Sequence, residues 1–248
     1  MPQHPGFDLL AISDRRADPG GALEPWFRQV GAAGVGAVQI REKDLPDREL
    51  LALARSARQN LPPETVLLIN GRVDVARAVE PVVVRQAPER LAAAEGARRS
   101  KEACRTTTEG GRVGVHLPSF GLPVAAMRAR FGAGLLLGRS THNLTEIESA
   151  RDEGADYATF GPVYSTPSKA ALGPPVGLAA FERAATLGLP LFALGGVTLE
   201  RLPELARAGA AGIAGIRIFL DSAELPALVA AARALFSPRS TKPPRLET

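Results

Sequence analysis

Eight short apolar runs, each followed by a longer amphipathic stretch, set the tightest limit on how this chain can fold. The runs cover residues 8–13, 36–41, 65–70, 112–117, 134–139, 157–161, 189–195 and 212–218. The stretches with helical spacing lie near 24–33, 46–60, 73–80, 122–131, 143–153, 177–187, 198–208 and 222–236. Short continuous apolar runs read as strands buried on both faces, and their alternation with helices is the pattern of a parallel sheet. Eight such units predict an α/β protein, a single-domain (β/α)8 TIM barrel over 7–236, with an open doubly wound sheet as the second choice. Pro25 and Pro46 sit near helix starts, where a missing N–H is harmless. Thr198 and Asn143, the latter followed by Glu146, read as N-caps. Residues 80–111 break the rhythm and read as an insertion between the third helix and fourth strand, peripheral to the site. The tail 237–248, with three prolines, is expected to be disordered.

Composition narrows the class. The chain has 248 residues, 45% hydrophobic and 23% charged, enough for one large α/β core. No apolar run is long enough to span a bilayer, and Met1 to Pro5 lacks the basic and apolar regions of a signal peptide. A single cysteine, Cys104, excludes an internal disulfide framework and a multi-cysteine metal site. These features predict a cytoplasmic protein. The net charge is +4. Basic residues are scattered, and Trp26, Tyr157 and Tyr164 do not interleave with them, which argues against nucleic-acid binding and fits a small anionic substrate.

In such a barrel the chemistry belongs to the C-terminal ends of the strands. Two glycine-rich turns close the last two strands: Gly195-Gly196 and the segment holding Gly215 and Arg217. That is how the last βα units of a barrel hold phosphate, through backbone N–H groups and a helix N-terminus. After the second strand, alternation sends Gln39, Arg41 and Lys43 the same way, three donors suited to a phosphate or diphosphate. Gln39 stands where an apolar core residue is expected. A solvated charge cluster is the plainer reading. After the third strand, Asn70 and Arg72 are candidate substrate contacts and Asp74 a helix-start acid. His142, behind Ser140 after the fifth strand, is a candidate proton carrier, with His116 competing. After the sixth, the loop with Thr166, Ser168 and Lys169 has the equipment of a lid over an anion.

Taken in order, Gln39-x-Arg41-x-Lys43, Asn70-x-Arg72-Val73-Asp74, Ser140-x-His142, Gly161-Pro162-Val163-x-x-Thr166-x-Ser168-Lys169 and Gly195-Gly196 resemble the thiamine phosphate synthase/TenI superfamily. The resemblance covers nearly all of the chain outside the insertion and tail. It implies one of two activities: joining hydroxymethylpyrimidine diphosphate to a thiazole phosphate with magnesium, or a metal-free proton shift that aromatises a thiazole carboxylate phosphate. The synthase pattern carries an aspartate where this chain has Gly71, and another a few residues after His116-Leu117, where it has Pro118 to Leu122 without a carboxylate. Magnesium prefers hard oxygen ligands, so the resemblance implies the tautomerase, with His142 as acid/base and no cofactor. The alternatives are the synthase with Mg2+, with Asp14 as a substitute ligand, and a non-catalytic binder of thiamin intermediates. Gln39, Arg41 and Lys43 match the synthase's pyrimidine-diphosphate site. Gly195, Gly196, Gly215 and Arg217 are the expected phosphate site, Arg217 replacing the superfamily's usual Ser. The implied partners are small phosphorylated thiazole and pyrimidine molecules, no nucleic acid, no membrane, and at most further copies of the chain.

Overall fold

The computed structural model describes residues 4–17, 21–79, 111–166, 173–221 and 223–236. The expected insertion, apart from Gly111, and the tail lie outside the described residues, as do Ser168 and Lys169.

Among the described residues eight strands alternate with eight α-helices: β1 (Leu9–Ile12), α1 (Leu23–Ala33), β2 (Ala37–Ile40), α2 (Asp47–Asn60), β3 (Val66–Asn70), α3 (Val73–Val79), β4 (Val113–Leu117), α4 (Val124–Phe131), β5 (Leu136–Thr141), α5 (Leu144–Asp152), β6 (Tyr157–Phe160), α6 (Leu178–Ala185), β7 (Leu191–Leu194), α7 (Leu202–Arg207), β8 (Gly212–Gly215) and α8 (Leu225–Phe236). All strand pairs are parallel, and β8 pairs back onto β1 with Leu9 opposite Ile213, so the sheet closes. This is the (β/α)8 barrel. Trp26 of α1 donates its indole N–H to the Phe219 carbonyl at 2.8 Å, tying the first unit to the last.

Strand alternation divides the core in two. Outward residues such as Leu9, Val38, Leu67 and Val115 pack against the helices. Inward residues, among them Leu10, Leu68, Leu136, Tyr157 and Phe192, fill the barrel. Phe7 plugs the bottom, its ring 5.3 Å from Tyr157 and 5.1 Å from Phe192. Toward the top the inward positions turn polar, and that change of chemistry makes the floor of the site.

The strand ends differ in detail from the sequence expectation. β2 stops at Ile40, so strict alternation does not extend to Lys43. β8 stops at Gly215 rather than 218, because residues 217–219 coil into a 3-10 turn held by Phe219 N–H to the Ile216 carbonyl at 3.1 Å. The stretch expected as a helix from 198 begins instead as a 3-10 turn over Leu199–Arg201, and Thr198 makes no side-chain cap. Its hydroxyl bonds the Glu200 carboxylate, which lies below its ordinary range. Asn143 caps as expected, its side chain accepting the Glu146 N–H at 2.9 Å.

Candidate active site

The polar floor is built from one inward residue of each central strand. Asn70 of β3 stands in register with His116 of β4, and His116 with Gly138 of β5. Ser140 of β5 lies opposite Thr159 of β6. His116 is buried, with its Nδ1 3.0 Å from the Tyr157 hydroxyl and its Nε2 2.9 Å from the Ser140 hydroxyl. Burial pushes its pKa down to about 3, helped by the charges of Arg139 and Arg41. The ring is therefore neutral near pH 7. Gly138 makes room for the pair: a Cβ there would stand 2.2 Å from the Tyr157 ring and 2.6 Å from His116 Nδ1.

Gln39 occupies an interior position and is 1% exposed. Its Nε2 donates to Asn70 Oδ1 at 3.0 Å, while its Oε1 is buried without a partner among the described residues. A buried acceptor left unpaired costs about 1–3 kcal/mol, so this one favours a ligand that donates a hydrogen bond. Past the strand end, Arg41 and Lys43 form no ion pair among the described residues. The Arg41 charge, with some burial, holds the Lys43 pKa below its ordinary value, the signature of two cations sharing one place. Between them Glu42 is buried, accepting the Ser13 hydroxyl at 2.6 Å and facing Arg15 at 3.4 Å.

Arg72 is placed differently. It forks onto Asp74 at 2.9 and 2.6 Å and reaches Asp47 at 2.6 Å, linking the starts of α2 and α3. These carboxylates raise its pKa further above the ordinary arginine value. Asp74, in turn, serves Arg72 as well as the start of α3.

His142 stands exposed at the rim, beyond the end of β5. Its Nδ1 is 2.7 Å from the Gly161 carbonyl. A carbonyl only accepts, so Nδ1 carries a proton, and in the neutral ring Nε2 holds the lone pair. The backbone N–H of His142 donates to Glu146 Oε2 at 2.8 Å, so the α5 cap also holds the histidine. Arg139 grips the carbonyls of Ser119 and Leu122, each at 2.8 Å, fixing the β4–α4 loop.

Between β7 and β8 lies a cavity of about 370 Å³, lined among others by Asp14, Thr166, Gly195, Gly196, Gly215 and Arg217. Gly195 and Gly196 both have positive φ, 96° and 66°. A Cβ at Gly195 would stand 2.8 Å from Pro162 Cα, and one at Gly196 2.9 Å from the Ser165 carbonyl oxygen. Only glycine suits both demands. From behind the turn, Val163 and Tyr164 N–H groups bond the Leu194 and Gly195 carbonyls at 2.9 and 3.0 Å. These bonds fasten the turn to the loop after β6. Asp14 also accepts the Arg16 N–H at 3.1 Å, a turn contact.

The structure thus gathers Gln39, Asn70 and Ser140 at the floor, Arg41 and Lys43 past the end of β2, and the glycines, Thr166 and Arg217 around the β7–β8 cavity. Sequence reasoning missed Arg201, which lines the same cavity, and Tyr164, whose hydroxyl donates to Glu204 at 2.5 Å. Arg201 reads in sequence only as a charge near a helix start, and nothing in the spacing announces that Tyr164 meets it.

A closed parallel barrel with a glycine-walled, arginine-flanked cavity above β7 and β8 has the architecture of the (β/α)8 enzymes, whose sites lie at the C-terminal ends of the strands. The comparisons narrow it. The family model described as thiamine monophosphate synthase matches residues 9–219, and the chain belongs to that family. A Geobacter sulfurreducens protein, provisionally named a thiamine-phosphate synthase, is 39% identical over 94% of this chain and 96% of its own length. The thiamine-phosphate synthase of Methanoculleus marisnigri is 32% identical over 93% and 94%. The solved thiamine phosphate pyrophosphorylase of Pyrococcus furiosus shares the fold, with a TM-score of 0.69 at 24% identity over 92% of this chain and 98% of that one. No described helix is long and apolar enough to cross a membrane.

Proposed function

We propose that this protein makes thiamine phosphate, joining an aminopyrimidine carried as its diphosphate to a thiazole phosphate. The observation that carries this reading is the pairing of two anion-receptive places on one rim. The β7–β8 cavity suits the thiazole phosphate. Arg41 and Lys43, without carboxylate partners among the described residues, suit a diphosphate. Beside them the orphaned Gln39 Oε1 suits the pyrimidine's amino group. The names of the relatives support the same reaction. In it the pyrimidine's methylene C–O bond breaks, diphosphate departs, and the thiazole nitrogen supplies the electron pair of the new C–N bond. Arg41 and Lys43 stabilise the charge that builds on the departing diphosphate. The neutral His116 and Ser140 line the floor without adding charge.

The family implies magnesium, which neutralises a departing diphosphate when bound. The donors here do not fit it. Among the described residues no three His, Cys, Asp or Glu side chains gather into a metal site. The nearby Asp44, Asp47 and Asp74 are paired with arginines. That shortfall, with His142 Nε2 in no hydrogen bond among the described residues, favours a second reading that the sequence analysis put first. In it the chain is a thiazole tautomerase, His142 moving the proton.

One experiment separates the two. Purified protein is given both synthase substrates, and separately the thiazole carboxylate phosphate tautomer. Thiamine phosphate formation, reduced at least tenfold by Lys43→Ala, supports the synthase. Absence of that product, with metal-free isomerisation abolished by His142→Ala, replaces it by the tautomerase. Binding without either turnover leaves the non-catalytic binder.

A further inference from the structure

Arg201 belongs to none of the roles above, yet it lines the β7–β8 cavity together with Arg217, one after each of the two strands. Three features fix it there. One guanidinium nitrogen donates to the Gly196 carbonyl, the last carbonyl of the phosphate turn. The guanidinium carbon sits 4.1 Å from the centre of the Tyr164 ring, a stacking distance. Tyr164 is itself held, its hydroxyl donating to Glu204 Oε1 of α7 at 2.5 Å. No carboxylate pairs with Arg201 among the described residues. Of its five N–H donors the protein thus engages few, and stacking on the ring holds the rest in one plane. A half-buried cation beside a cavity, stacked on a ring and in no ion pair among the described residues, is the arrangement that binds a dianion.

We propose that Arg201 is a phosphate ligand of the cavity and that Tyr164 and Glu204 are the positioning residues that hold it. The ligand class is a phosphate monoester dianion, met by Arg201 from the β7 turn and Arg217 from the β8 turn. Tyr164 lies on the loop after β6, so an anion on Arg201 also pins that loop to the Gly195-Gly196 turn. Glu204 bonds the tyrosine rather than the arginine, which orients the ring without neutralising the cation. The assignment deepens the phosphate half of the proposed function and does not depend on which reaction follows.

The test uses inorganic phosphate and calorimetry on the whole protein, with thermal melting as a check of folding. Arg201→Gln is expected to weaken phosphate binding by about 10- to 100-fold, the scale of a charged hydrogen-bond pair, with the melting point of the unliganded protein little changed. Arg201→Lys keeps the charge without the fork and recovers only part of the affinity. Tyr164→Leu, remote from the phosphate itself, weakens it severalfold. Affinity should rise from pH 5 to 7 as phosphate gains its second charge, and this rise should shrink in Arg201→Gln. Equal affinity in wild type and Arg201→Gln overturns the assignment, as does a wild type that binds no phosphate at millimolar concentration. Neither result touches the thiamine phosphate assay, which judges the reaction separately.

Discussion

His116 was a candidate proton carrier by position, and its surroundings assign it another task. Its two ring nitrogens are occupied by Tyr157 and Ser140, and burial holds its pKa at about 3. This has a consequence for stability. In the unfolded chain the ring titrates near its ordinary value of about 6.5. Stability is therefore full above that pH. As pH falls toward 3 the unfolded chain takes up a proton the folded one refuses, and stability drops by about 1.4 kcal/mol per pH unit. Urea midpoints measured from pH 7 to 4 should show this slope, and His116→Gln should lose that share of it. A variant with an unchanged slope contradicts the burial account. Gln39 was legible as an anomaly, a carboxamide in an apolar strand. Its unpaired oxygen was not, because pairing depends on Asn70, thirty-one residues away in sequence. Arg72 shows the opposite limit. Its place after β3 suggested a substrate contact, and only the fold reveals Asp47 beside it.

At the scale of elements, the rhythm of apolar runs placed every strand and helix, because parallel strands buried on both faces advertise themselves as continuous apolar runs. The ends were less legible. Whether β8 continues to Ile218 or coils at Arg217 depends on local turns rather than on hydrophobicity. The α5 start is the clearest success: Asn143 and Glu146 cap each other, with Asn143 Nδ2 donating to Glu146 Oε1 at 2.7 Å. The same glutamate holds the backbone of His142. Asn143→Ala should lower stability by about 1 kcal/mol, read from denaturant midpoints, the usual loss for a removed cap. Glu146 would still accept from His142, so the histidine should keep its place, and a collapse of substrate binding in that variant would show the cap matters beyond stability.

For the whole molecule, closure of the barrel is what turns scattered sequence motifs into a site. β1 pairing with β8 brings Asp14 to the cavity that Gly195 and Gly215 wall. The β2 cations and the β7–β8 cavity then share one rim, though more than 150 residues separate them in sequence. Family and fold were readable from ordered motifs. The reaction was not, because the missing carboxylates at 71 and 118–122 and the donors Gln39, Arg41 and Lys43 point in different directions. The central claim is that this rim holds two anionic substrates at once. Calorimetric titration of thiazole phosphate into protein saturated with the pyrimidine diphosphate tests it most directly. The account predicts a ternary complex, with Lys43→Ala weakening the diphosphate at least tenfold and leaving the thiazole phosphate affinity unchanged. Competition between the two ligands for a single place would contradict it.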